Sequence, residues 1–439
     1  MAHENLKTPR QPGPVIGRPD LLMAFSKRCK AATHCEFRKW RASRARHGQL
    51  VVAILYTVFF GFPFVLRGAS APEIRQKLGI YVWGRVPDLA LAASDAKRLG
   101  ADRVIRTFIG PWSDTPPYKT DLRPLNEKSL SAGYRTIFNN FHVIMLTAYD
   151  SVSYKKEYGD SYSAGNGPGK SIGARVPPRE LHHPAHPSSK LVVDLNSMTP
   201  DEAQKFLDNV REEFRRFTLN LSKLDRTFII SNWEAENDVP DVKYWPAFTR
   251  YLQARIDGIA EGRKEAREKG YPGKVFTAFE FTIVPGFKGR ESGLVGIGAK
   301  LHDVDYLSYS SWWSIGWDLN TEAMKNSFHY AVQLIHGFAK QKGLPQRIII
   351  GEFGEYWNMH PSAERLKAIV DASIDEGVEY LFNWVLYDQP GERDEWGRDA
   401  SHVGKFFLNR ALTPQGAAFR KWFSESAAQP SSSHPGKTN

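Results

Sequence analysis

Cysteine is almost absent from this 439-residue chain: Cys29 and Cys35 are the only two. Whatever folds beyond them cannot rely on disulfides and must be held by its core. A glycine-rich phosphate loop is also missing. "SAGNGPGK" (163–170) is rich in glycine but neither follows a strand nor opens a helix, which argues against a doubly wound nucleotide-binding sheet. The body of the chain lacks an excess of charge. Residues 1–67 carry 12 Lys and Arg against Glu4, Asp20 and Glu36, whereas the remainder holds 47 basic and 45 acidic side chains. Of the net charge of +11, +9 therefore belongs to the N-terminal segment, and nucleic acid is not an expected partner. Nor does any apolar run reach the ~20 residues of a full membrane span.

The longest such run is "LVVAILYTVFFGFPFVL", residues 50–66, preceded by "RKWRASRARH". Its length falls between a signal-peptide core and a complete span, and the basic flank would hold the N-terminus in the cytoplasm. The expectation is a basic cytoplasmic tail over 1–49, then a transmembrane anchor or signal sequence over 50–67. The following domain would be held at a membrane through 50–66 and face outside the cytoplasm, or be secreted or periplasmic. "ASA" at 69–71 has small residues at cleavage-site spacing, with Pro72 unfavourable just after it.

What is present is aromatic: 13% Phe, Trp and Tyr, with 12 tryptophans. Flat ring faces suit the C–H faces of sugars, and they also suit a packed core. From residue 78 onward, short β-branched or aromatic runs alternate with amphipathic helical patterns. The expected strands are 79–84, 103–109, 142–148, 226–232, 274–281, 304–311, 347–353 and 378–387. Between them lie stretches such as "PDLALAASDAKRLG" and "AERLKAIVDASIDEG", closing on glycine as helices do. Eight such β-then-α units predict an α/β fold, a (β/α)8 TIM barrel over 78–425, with a polar disordered tail over 426–439.

Chemistry in such barrels sits where strands end and βα loops begin. Those positions hold Trp83 and Arg85, Arg106, Tyr149 and Asp150, Asn232, Glu234 and Glu236, Glu280, Tyr309, Trp312 and Trp313, Glu352 and Glu355, and Trp384 and Asp388. This is a ring of acids, aromatics and arginine without a three-ligand metal set. The sequence "SNWEAEND" (231–238) stands out, since a hydrophobic strand runs straight into three carboxylates.

"IIIGEFGEYW" resembles the seventh strand of the clan-A retaining glycoside hydrolases, and "VIRTF", "FNWVLYDQ" and "ALTPQGAAFRKW" are similar to their second strand, eighth strand and closing helix. The resemblance implies a nucleophile at Glu352, an orienting arginine at Arg106 and a sugar platform at Trp384. It also implies an acid/base on strand four. There the likeness is imperfect, because Trp233 separates Asn232 from Glu234. Reading "NWE" as the displaced equivalent makes Glu234 the acid/base, with Asn232 free to bond a sugar hydroxyl. If extension persists, Asn232, Glu234 and Glu236 share one face, so Glu236 is an alternative catalytic acid. Glu280 in "TAFEFT" is another alternative, or else an internal partner for Arg106 or Lys274. Tyr309, Trp312, Trp313 and Glu355 complete the expected substrate-binding set.

The function these residues predict is cleavage, or transglycosylation, of polysaccharide or oligosaccharide bonds by two glutamates, without cofactor or metal. Two alternatives differ in class: a carbohydrate-binding barrel without catalysis, and a metal-dependent hydrolase. The second would use the histidines of "HHPAH" (His182, His183, His186), although Pro184 disfavours the helix needed to align them.

Overall fold

The computed structural model of the chain describes residues 71–84, 86–110, 131–150, 187–287, 289–315, 319–354, 363–388 and 403–428. All eight expected strands form: β1 (Leu78–Val82), β2 (Val104–Ile109), β3 (Val143–Ala148), β4 (Thr227–Ser231), β5 (Lys274–Phe281), β6 (Tyr306–Ser310), β7 (Ile348–Phe353) and β8 (Tyr380–Asn383). They pair in parallel in chain order, and β8 closes on β1 through Leu78 opposite Leu381 and Ile80 opposite Asn383. A closed sheet of eight parallel strands with helices outside is the (β/α)8 barrel.

Side-chain alternation gives each strand an inner and an outer face. At the N-terminal end of the barrel the inner face is apolar: Val104, Met145, Ile229, Ala278, Tyr306, Ile349 and Phe382 form a cluster of their own. One inward step further along, the interior turns polar, with Arg106, Thr147, Glu280 and Ser308 all fully buried. The outer faces, including Ile105, Ile144, Phe279 and Ile350, join the large core beneath the helices. The change from apolar to polar filling points the chemistry at the C-terminal end of the barrel.

The helices begin and end where local chemistry allows. Helix Leu89–Leu99 is opened by the Asp88 carboxylate, which accepts from the N–H groups of Ala90 and Leu91, and closed by Gly100 at φ 101°. Helix Pro200–Leu221 starts in a reciprocal Thr199–Glu202 capping box. One unit departs from the expected alternation. Between β5 and β6 the described residues form only a four-residue helix, Gly293–Gly296, and a 3-10 turn, Gly298–Lys300. That connection holds five glycines and Pro285, each unfavourable in a helix interior. β8 is also shorter than expected, because Tyr387 meets Phe406 only through an isolated bridge. The last helix, Pro414–Ala428, runs three residues into the stretch expected to be tail. Among the described residues no helix is long and apolar enough to cross a membrane. The run 50–66 and the tail before it lie outside the described residues.

Candidate active site

The first carboxylate follows β4. Asn232 Nδ2 donates to the Glu280 carbonyl at 2.9 Å, and the Glu280 N–H donates back to Asn232 Oδ1 at 3.0 Å. Asn232 also donates to the Trp233 carbonyl. Its amide is thus engaged with backbone on every side and clamps β4 to β5, which corrects its expected role as a sugar ligand. Extension then stops. Glu234 opens a single helical turn, Ala235–Asp238, its carbonyl accepting from the N–H groups of Asn237 (3.0 Å) and Asp238 (2.8 Å). The buried Glu234 carboxylate accepts from Ser310 Oγ at the end of β6 and from Asn237 Nδ2.

That turn separates Glu236 from Glu234, so the two do not share a face. The Glu236 carboxylate instead accepts from three backbone N–H groups beyond β5: Thr282 (2.9 Å), Ile283 (3.1 Å) and Gly293 (2.6 Å). Burial pushes this carboxyl up, and the N–H donors pull it back. The fit is close enough that a Cβ on Gly293 would lie 3.0 Å from the carboxyl carbon. Glu236 pins a loop, and its place as an alternative catalytic acid gives way to a structural one.

The second carboxylate comes from an irregularity in β7. Tyr309 and Ser310 of β6 are opposite Ile350 and Glu352, so β7 carries one extra residue there, and the same shift recurs against β8. Such a bulge re-aims a side chain. Gly351 occupies the inner position, where a Cβ would meet Ser308 Oγ at 2.4 Å and a Glu280 carboxylate oxygen at 2.5 Å. Glu352 follows. Its Oε2 accepts from Trp312 Nε1 at 3.2 Å, while its buried Oε1 has no hydrogen-bond donor. Burial, with the Glu280 charge adding to it, pushes Glu352 up to about 7, against the pull of Arg106 and a hydrogen-bonding contact with the Glu234 carboxyl.

Beneath the pair lies Arg106, fully buried. Its guanidinium reaches Glu280 at 2.8 and 2.9 Å, Thr147 Oγ1 at 2.9 and 3.3 Å and the Gly351 carbonyl at 2.8 Å, with the Tyr81 ring 4.2 Å away. Glu352 Oε1 is 3.9 Å away. Arg106 therefore acts from within the barrel, not on a ligand, and Glu280 is its internal partner, with Ser308 Oγ as a further donor at 2.9 Å.

The aromatics divide. Trp83, Trp312 and Trp384 are partly exposed, with Trp384 4.9 Å from Trp83 and edge-on to Trp312 at 6.5 Å, so they gather beside Glu352. Trp313 turns away to meet Phe287 (5.6 Å) and lies under the Arg290 guanidinium (4.9 Å). Tyr309 is a correction: it is fully buried and stacked on Phe281 in the core outside the barrel. On β6 the inner positions belong to Tyr306, Ser308 and Ser310. Reading "YLSYS" in twos would have excluded Tyr309 and found the two serines, which the sequence reading missed. Glu355, Arg85 and the histidines 182, 183 and 186 lie outside the described residues. Among the described residues, no three His, Cys, Asp or Glu side chains group to hold a metal ion.

No model of a known protein family and no curated protein matches the chain. Solved structures similar in fold include the exo-β-1,4-mannosidase Op5Man5 from Opitutaceae bacterium strain TAV5, at 12% identity and TM-score 0.47, over 81% of this chain and 60% of that one. A GH5_18 protein from Bifidobacterium longum is 15% identical at TM-score 0.48 over 81% and 80%. An endo-β-1,4-mannanase from Thermotoga petrophila is 12% identical at TM-score 0.42 over 80% and 77%. The chain spans less than two thirds of the mannosidase. At these scores the likenesses carry no argument, and the barrel is established by its own strand order.

Proposed function

We propose that the barrel is a glycoside hydrolase or transglycosylase acting on oligosaccharide or polysaccharide by a two-glutamate retaining mechanism. What supports this reading is that Glu234 and Glu352, delivered by β4 and β7, act on one another electrostatically at the C-terminal end of the barrel, where three partly exposed tryptophans gather beside Glu352.

Glu352 is the nucleophile. One of its oxygens is held by Trp312, and the other carries no donor. Glu234 is the acid/base, and its Ser310 partner suits that role, since a hydroxyl can donate to the carboxylate or accept from the acid. In the first step Glu352 bonds to the anomeric carbon as the glycosidic C–O bond breaks, and Glu234 gives its proton to the departing oxygen. In the second step Glu234 takes a proton from water, or from an acceptor sugar hydroxyl, whose oxygen displaces Glu352. The tryptophans supply apolar faces for the sugar rings.

We further propose that the apolar run 50–66, with its basic flank, places this barrel outside the cytoplasm.

The two acids should fail differently. Glu352→Ala should abolish turnover on every substrate, and added azide should restore glycosyl transfer with inverted configuration. Glu234→Ala should still accept substrates with good leaving groups and stall on natural sugars. Tolerance of both substitutions would reduce the barrel to a binding module.

A further inference from the structure

Glu234, Glu280 and Glu352 are three buried carboxyls, and one guanidinium, that of Arg106, lies among them. Arg106 does not divide its charge evenly. Both of its close carboxylate contacts go to Glu280, at 2.8 and 2.9 Å, and Glu352 is left at 3.9 Å. Glu280 cannot break bonds itself, being fully buried and saturated by Arg106 and Ser308. Its backbone is fixed as well, by the paired hydrogen bonds to Asn232. We propose that Glu280 is a positioning residue that draws the Arg106 charge away from Glu352 and thereby sets the pH at which Glu352 becomes an available nucleophile. Its consequence for turnover rests on the two-glutamate reading; its electrostatics do not.

Among the described residues, the charged and titratable groups acting on Glu352 are few. Tyr81 of β1 is held neutral, because burial pushes its hydroxyl well up. Arg106 of β2 and Glu234 after β4 favour the ionised form, while Glu280 of β5 opposes it. Of the described residues of β6 and its loop, the neutral Trp312 indole donates to Glu352, and the neutral Ser310 donates to Glu234. Removing the Glu280 charge leaves Arg106 with Glu352 as its nearest carboxylate beside the Glu234 partner, so the ionised form of Glu352 is favoured.

Glu280→Gln keeps the shape and removes the charge. The acid limb of kcat/KM, which reports the free enzyme's essential base, should move about one pH unit or more toward acid, and Glu280→Asp should bring it back toward wild type. The same shift should appear in carboxyl NMR of 13C-glutamate-labelled protein, with Glu352→Gln assigning the resonance. An NMR shift without turnover on any glycoside supports this inference and overturns the glycosidase reading. An unchanged Glu352 titration in folded Glu280→Gln overturns the inference whatever the activity. Should that variant not fold, Glu280→Asp, which draws the carboxylate back from Arg106, should shift Glu352 the same way by less; a wild-type titration there also overturns it.

Discussion

A buried carboxylate is stable when donors surround it and reactive when they do not. Glu236 and Glu352 show the two cases a short distance apart. Glu236 has three backbone N–H groups on its two oxygens. Glu352 has the Trp312 indole N–H and the Glu234 carboxyl as side-chain partners, and one oxygen with no donor. Hydrogen bonds to a charged acceptor contribute about 1.5–3 kcal/mol each, and a buried N–H left unmade is costly. Glu236→Ala strands three such N–H groups at once, so it should destabilise the barrel by about 3 kcal/mol or more. Thermal unfolding checks this. Kinetics separate the roles: protein that remains folded should keep its pH profile, whereas a leaving-group-dependent defect would return Glu236 to the catalytic pair. Glu236→Gln retains an oxygen acceptor and should lose less.

At the scale of elements, the site depends on two departures from regularity: the one-turn helix Ala235–Asp238 after β4 and the bulge in β7. Gly351 makes the bulge possible, since its inner position is already filled by Ser308, Glu280 and Arg106. Gly351→Ala should force those groups apart, costing about 1–3 kcal/mol by overpacking and lowering turnover with it. A variant that melts and turns over like wild type would show that the bulge tolerates a side chain. Neither irregularity was legible in the sequence. A β-branched run such as "RIIIGEF" announces a strand and its approximate ends, and that sufficed for all eight strands and for Glu352 at the mouth of the barrel. Period-two alternation says nothing about an inserted residue, which flips every side chain after it. For the same reason Glu236 was placed beside Glu234 until the helical turn separated them. Asn232, Arg106 and Glu280 were legible as residues near the site but not as a buried network, because their partners come from strands distant in sequence. Tyr309 failed differently: its face was readable from the serines on either side of it.

Over the whole molecule, charge is segregated along the chain. The residues after 67 are close to neutral, with 47 basic and 45 acidic side chains, and 11 of the 12 basic residues of the first 67 precede the apolar run. A barrel this balanced has no electrostatic reason to bind a polyanion, so the basic segment needs an explanation of its own. Orientation at a membrane supplies one, since Lys and Arg within ~15–20 residues of an apolar segment hold that flank in the cytoplasm. Residues 38–46 alone contribute Arg38, Lys39, Arg41, Arg44 and Arg46 directly ahead of the run 50–66. A reporter that is active only outside the cytoplasm, fused after residue 75, should therefore be active. Replacing those five residues with neutral ones should reduce the correctly oriented fraction, while replacing the same number of basic residues on the surface of the barrel should not. The run's apolarity and its flank are tested separately, because two charges placed inside 50–66 should abolish export even with the flank intact. A reporter that stays cytoplasmic in the unaltered fusion removes the membrane proposal and leaves the chemistry of Glu234 and Glu352 untouched, since nothing in their geometry depends on which side of a membrane the barrel faces.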